Sequence, residues 1–296
     1  MPYTTGKRLP GERSSRLSHL DVLKSQLVKD LCNSFEDPKS QLVKTSVQWQ
    51  PLPAQSKPLP LIFGVDGSLQ IIESESRPHK ALGFVKTSLI MLDQPALATI
   101  DKDEPHPFAI RDILEKSQTY HATVFPLRYV VVADQSVYNA VRKVIFDSIK
   151  DPSLEGEVMQ TLKWLAYEKW DNQNKSLPPF QCPHCDSDSA TLPYDAEAGR
   201  CPRCNEEIFV TDMLGFHLEM ADDSAPDTVA SSYMSIHETL LIFTGIRHFW
   251  ENKRDVLSTC LFVKDGPLSI RAQYSKLVNP IRRFLTFAKK QGTNVC

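Results

Sequence analysis

The sequence predicts an α/β protein, a mixed sheet flanked by helices, with a small cysteine-rich module inserted late in the chain. Two apolar β-runs, remote from one another, each carry an Asp-Gly pair: Leu61-Ile-Phe-Gly-Val-Asp-Gly-Ser-Leu-Gln-Ile-Ile72, with Asp66 and Gly67, and Cys260-Leu-Phe-Val-Lys-Asp-Gly-Pro-Leu-Ser-Ile270, with Asp265 and Gly266. Segments of helical periodicity separate the β-runs, as a layered α/β fold requires. The third observation is the pair Cys182-Pro-His-Cys185 and Cys201-Pro-Arg-Cys204.

Residues 1–16 are polar and rich in Gly, Pro and Ser, an extended arm. Leu20, Leu23, Leu27, Val28 and Leu31 recur at helical spacing, predicting a helix over 18–35. Together these make an N-terminal arm and helix, residues 1–49. The prolines of 50–60 form a connector into the main domain, 50–296. There the first β-run is expected to stop at Asp66 and turn on Gly67, since Asp and Gly favour turns. Gly83–Leu92 reads as a second strand, paired with the first as a hairpin. A short helix is possible over 108–118, and the β-branched run Leu127–Ala133 predicts a third strand. Helical spacing returns over 136–150 and 154–171. The second of these carries Trp164 and Trp170, read as core packing.

The two Cys-x-x-Cys units are separated by fifteen residues, which falls in the zinc-ribbon range. Four thiolates, Cys182, Cys185, Cys201 and Cys204, supply a closed tetrahedral set for a structural Zn²⁺; His184, inside a knuckle, is the weaker ligand candidate. The module is expected to occupy 176–212. The other three cysteines, Cys32, Cys260 and Cys296, are scattered, a usage that fits a reducing, cytoplasmic setting better than a disulfide framework. After an acidic loop over 219–227, a long helix over 228–252 places Glu238 among apolar positions, with Glu251 near its end. The Asp265 strand follows, and then an amphipathic basic helix over 271–290.

An Asp on an apolar strand is costly to bury unless it is paired or binds a metal. Asp66 and Asp265, brought side by side, would form a hard-oxygen site suited to Mg²⁺ or Mn²⁺. Each alone reads more readily as the start of a β-turn before Gly, and it is the pair in matching apolar contexts that points to a metal site. Glu238 is the candidate third acid and Glu251 its competitor. The chain of 296 residues is 41% hydrophobic and 24% charged with net charge −2, an ordinary globular composition without a global basic excess. Its charge is uneven. Between Pro267 and Cys296 stand Arg271, Lys276, Arg282, Arg283, Lys289 and Lys290 and no acid, while Lys7, Arg8, Arg13, Arg16, Lys24 and Lys29 outweigh the acids of the first thirty residues. Such local basic surface suits a phosphate backbone as well as a solvated helix face. No apolar run approaches the roughly 20 residues of a membrane span, and the N-terminus has no signal-peptide core.

Val65-Asp-Gly-Ser68, the acid-bearing helix and Val263-Lys-Asp-Gly-Pro-Leu268, together with the opening Gly11-Glu-Arg-Ser-Ser-Arg-Leu-Ser-His-Leu-Asp-Val-Leu-Lys24, resemble the NurA nuclease family. The resemblance implies an RNase H-like core and DNA cleavage at a Mn²⁺ or Mg²⁺ centre. It further implies a homodimer working with a HerA-type hexameric ATPase, in DNA end processing or anti-phage defence. Asp66, Asp265 and Glu238 would then be the metal-binding and catalytic acids, and Arg271, Lys276, Arg282 and Arg283 would contact DNA. The zinc ribbon lies outside the family's minimal core. The family also continues past the basic helix to a functional Tyr/His pair, whereas this sequence stops at Cys296. That difference supports an alternative expectation, a catalytically inactive DNA-binding or docking subunit of a HerA-type complex.

Overall fold

The structure is a computed structural model. It describes residues 26–34, 59–101, 103–104, 106–109, 111, 118–130, 132, 135–171, 176–220, 227–265, 275–293 and 295. The chain divides into two compact units, Met1–Ser56 and Lys57–Cys296. In the first, the described residues form helix α1 (Gln26–Ser34), inside the predicted 18–35 helix, with Gln26 Nε2 donating to Asp30 Oδ1 at 2.8 Å across one turn. The predicted arm over 1–16 lies outside the described residues.

The second unit is mixed α/β, built on a four-stranded sheet. Its strands are β1 (Leu61–Glu73), β2 (Ala81–Asp93), β3 (Gln118–Arg128) and β6 (Cys260–Lys264), in the spatial order β3-β2-β1-β6. The first three form an antiparallel meander, and β6 runs parallel to β1. β1 and β2 pair along their whole length, from Leu61 opposite Asp93 to Glu73 opposite Ala81. The turn expected at Gly67 therefore does not form. Ser68–Ile71 alternates polar and apolar residues, and β2 offers a ladder partner for each, so Asp-Gly is held inside a strand. The third strand is also displaced from the predicted 127–133. Its inward positions His121 and Thr123 are polar, which hides the alternation, and Tyr129, with φ 51°, ends it.

Helix α2 (Val137–Ile149) begins where Ser136 Oγ accepts from the Asn139 amide at 3.2 Å, an N-cap. The helix expected over 154–171 is shorter: α3 spans Glu157–Ala166, between 3₁₀ turns at Pro152–Leu154 and Lys169–Asp171. Left-handed backbone at Glu155, Gly156 and Glu168 breaks it at both ends. Trp164 and Trp170 are buried and meet the ring of Phe284 edge-on at 4.9 and 5.5 Å. Phe284 belongs to α5 (Val278–Lys290), so this aromatic cluster docks the last helix on the core. The beginning of the predicted 271–290 helix falls in 266–274, outside the described residues.

Helix α4 (Asp227–Asn252) lies across β1 and β2 and closes the core over Val65 and Val85 with Tyr233, Leu240 and Leu241. The opposite face of the sheet carries exposed side chains, among them Phe84, Tyr120, Val124 and Val263. Between α4 and the sheet sits a polar cluster. The His121 and His237 rings stack at 4.6 Å; His121 Nδ1 lies 2.8 Å from Asp151 Oδ2 and its Nε2 lies 3.1 Å from the Tyr233 hydroxyl; His237 Nδ1 lies 2.8 Å from Thr87 Oγ1. His237 Nε2 is buried without a partner.

Burial, with the neighbouring His121, pushes the His237 imidazole down to about 3. The unfolded chain takes up that proton near pH 6.5, whereas the folded chain refuses it until about 3, so stability falls as pH drops through this window. Between pH 7 and pH 5 the protein should lose about 2 kcal/mol more than a His237→Asn variant, from about 1.4 kcal/mol per pH unit per proton. Urea denaturation of both proteins at the two pH values checks this; equal losses would contradict it.

Candidate metal centres

Asp66 lies in the middle of β1. Its neighbours Val65 and Gly67 face α4, so alternation turns the Asp66 side chain to the exposed face. β6 runs beside β1 in register, Val65 against Lys264, and the Asp265 amide donates to the Val65 carbonyl at 3.2 Å. This bond closes the last ladder pair, Val65 with Lys264, so the next residues on the two chains, Asp66 and Asp265, follow side by side, both exposed. Asp66 Oδ1 accepts from the Gly67 amide at 2.8 Å. Among the described residues neither carboxylate has an ion-pair partner.

Glu238 approaches from α4. A Cβ on Gly67 would lie 2.5 Å from Glu238 Oε1 and 2.7 Å from Met234 Cγ, so only glycine leaves room for this carboxylate against the strand. Its other oxygen, Oε2, meets Lys264 Nζ at 2.8 Å in a buried ion pair. Lys264 reaches Glu238 because it shares the inward face with Val65. In the sequence this lysine is a single charge closing the apolar run Cys260-Leu-Phe-Val-Lys264, and only the pairing with β1 shows that it points inward. Asp66, Asp265 and Glu238 do not meet as one tight ligand set. Among the described residues, the cysteines alone form a group of three or more potential ligands within 4.8 Å of one another. Glu251 stands roughly 20 Å further along α4, at about 1.5 Å per residue. It is exposed and 3.3 Å from Arg247 Nη1.

The four cysteines, Cys182, Cys185, Cys201 and Cys204, form a cluster that could hold a metal such as zinc. Their sulfurs stand 3.7 Å apart between Cys182 and Cys204, and 3.9 Å apart between Cys185 and Cys201. Sulfurs about 2.3 Å from a tetrahedral zinc would be about 3.8 Å apart, so the donor set has the right size. Both knuckles fold alike. Asp186 and Asn205, each just after a second cysteine, take left-handed backbone at φ 55° and 61°, and their amides return to the carbonyls of Cys182 and Cys201. Asp and Asn tolerate this conformation better than most residues. The amides of His184 and Arg203 point at the sulfurs of Cys182 and Cys201, each at 3.4 Å. Burial pushes the Cys182 thiol up to about 12. Burial also opposes ionisation of Cys201, but the Cys204 and Arg203 amides hold that thiol down to about 6.

The hairpin β4 (Ala198–Arg200) and β5 (Glu207–Phe209) completes this module. Arg142 of α2 anchors it to the main body, donating from Nε and Nη2 to Asp212 at 3.0 and 2.8 Å and from Nη2 to the Glu207 carbonyl at 3.2 Å. His184 Nε2 lies 3.0 Å from Arg142 Nη1 and outside the four-sulfur cluster, so it serves the anchor. Of the predicted DNA contacts, Arg282 and Lys276 are exposed, Arg283 Nε is bound to the Glu168 carboxylate, and Arg271 lies outside the described residues.

Compared with protein-family models, curated proteins and solved structures, the chain has no match. Among the described residues, no helix is long and apolar enough to cross a membrane.

Purified protein should carry one zinc per chain at the cysteine cluster, and Cys201→Ser should abolish it. Metal loss should remove amide-exchange protection over 176–212 while leaving the β1–β2 ladder protected, because binding and local folding are coupled. Atomic emission and hydrogen exchange check both; metal-free protein with full protection over 176–212 would contradict the assignment.

Proposed function

We propose that the protein is a divalent-metal-dependent DNA nuclease of the NurA type, with an RNase H-like core. The observation that carries this reading is the juxtaposition of Asp66 and Asp265 on adjacent strands. The mixed sheet, with β6 parallel to β1 inside an otherwise antiparallel order, supports the RNase H-like assignment. The donor set fits Mn²⁺ or Mg²⁺: two exposed hard-oxygen ligands whose mutual repulsion a cation would relieve. When bound, such an ion supplies Lewis acidity at a phosphodiester and a more acidic bound water.

The chain's own residues do the rest. Asp66 and Asp265 hold the cation, and the Gly67 amide orients one Asp66 oxygen. Glu238 stands in reserve behind Gly67, its charge balanced by Lys264. Lys276 and Arg282 draw the polyanionic strand toward the protein by a salt-sensitive attraction. As a NurA-type protein it would act as a homodimer with a HerA-type hexameric ATPase, in end processing or anti-phage defence.

One observation favours a second reading. Glu238 is committed to Lys264, and the three acids do not gather at ligand distance. A catalytically silent subunit that binds DNA or docks on a HerA-type ATPase would look the same. Cleavage of linear DNA in Mn²⁺ separates the two. The nuclease reading expects Asp66→Asn and Asp265→Asn each to reduce cleavage at least 10²-fold, with zinc content unchanged. Cleavage unaffected by either substitution would refute it. An inert parent protein that co-elutes with the ATPase would establish the silent subunit.

A further inference from the structure

The sheet face turned away from α4 carries the carboxylate pair, and the register sets the rest of that face in cross-strand rows. Asp66 stands opposite Ser88 on β2, and Ser88 opposite Tyr120 on β3. Tyr120 therefore shares a row with Asp66, two strands and roughly 10 Å away. Two residues along each strand, Ser68, Lys86 and Ala122 form the next row, and beyond it Gln70, Phe84 and Val124 form a third. All of these side chains except that of Ser88 are exposed, Tyr120 by 62% and Phe84 by 42%.

Large aromatic rings left open together mark a surface that binds. What stands between them says what it binds. Tyr120 and Phe84 are roughly 14 Å apart, four residues along β3 and one strand across, far enough for each to take its own ring. Lys86 lies between them with Nζ 5.1 Å from the centre of the Tyr120 ring, a cation–π contact that steadies the ring and keeps an ammonium at its level. Serine, lysine and glutamine break up the apolar surface, so the rings do not merge into the dry centre of a protein–protein interface. Separate open rings with a cation between them suit a polyanion that carries flat bases. The bases of a duplex are already paired and stacked on one another, so a single strand is what can offer them. Exposed aromatics on a four-stranded sheet hold single strands in this way.

We propose that Tyr120 and Phe84 form a stacking platform for the bases of a single-stranded nucleic acid, with Lys86 at its phosphates. The choice of occupant rests on the DNA chemistry proposed for Asp66 and Asp265. A phosphodiester held at those two carboxylates lies over this same face, and the nucleotides beside it reach Tyr120 along the shared row. Stacking attracts the strand without a cation and without regard to base sequence.

The test is fluorescence anisotropy with the full chain carrying Asp66→Asn, so that no strand is consumed. The ligands are a labelled oligothymidylate of about a dozen nucleotides, within the reach of one such surface, and an abasic deoxyribose-phosphate chain of the same length. The oligothymidylate should bind more tightly than the abasic chain. Adding Tyr120→Leu or Phe84→Leu should each weaken its binding roughly tenfold, the scale of one base–aromatic stack, and leave the abasic chain unaffected. Tyr120→Phe keeps the ring and should keep the affinity. Both positions are exposed, so the variants should stay folded, which unchanged circular dichroism and zinc content check. Unchanged affinity in either Leu variant, or an equal loss with the abasic chain, would overturn the proposal. A protein that binds no oligonucleotide would overturn it too, and a dimer that Tyr120→Leu dissociates would then give the face to a second copy. Base-dependent binding by a chain that cuts nothing in Mn²⁺ would uphold the platform and refute the nuclease reading alone.

Discussion

The parallel pairing of β6 against β1 is the constraint on which the rest of the structure depends. Five residues, Cys260–Lys264, lock beside Leu61–Val65, and the backbone bond from Asp265 to Val65 closes the last pair. The next residue on each side is an acid, so this closure brings Asp66 and Asp265 together. Because side chains alternate across a strand, the same register sends Val65 and Lys264 inward and Asp66 and Asp265 outward. A slip of one residue would bury an aspartate and expose the lysine. The metal-site hypothesis and the integrity of the core thus rest on one register.

The inward side of that register has its own logic. A lysine buried under α4 needs a counter-charge, and Glu238 supplies it from the helix. Removing one partner of such a pair commonly costs 3–5 kcal/mol, because the other is left buried and unpaired. Gly67 makes the approach possible by having no side chain to fill the space. Glu238 therefore has a structural duty whatever else it does. Further out, Arg142 plays the matching part for the cysteine-ligated module, joining Asp212 and the Glu207 carbonyl to α2. The two units of chemistry, carboxylate pair and sulfur cluster, are thus held to one core by buried charge pairs.

How much of this was legible in the sequence depended on the range of each signal. The sulfur cluster was readable because its ligands, turns and backbone donors all lie within two short segments. The β1–β2 hairpin and α4 were readable from periodicity. The setting of Asp66 is not legible locally: Asp-Gly is a turn signal, and only the long partner strand β2 overrides it. β3 was misplaced because His121 and Thr123 occupy inward positions where an apolar residue is expected; their partners, Asp151, Tyr233 and Ser148, come from elsewhere in the chain. Lys264 carries no local signal, since a buried lysine is defined by what surrounds it. Local pattern reports which residues are available, and tertiary contact decides which are committed.

The claim that Asp66 and Asp265 share a cation is tested most directly by anomalous diffraction from crystals soaked in Mn²⁺, with data on both sides of the manganese edge. The account predicts a manganese peak between these two carboxylates, separate from any zinc signal at the four cysteines. A fully soaked crystal with no manganese at that position, or with manganese bound elsewhere, would contradict it.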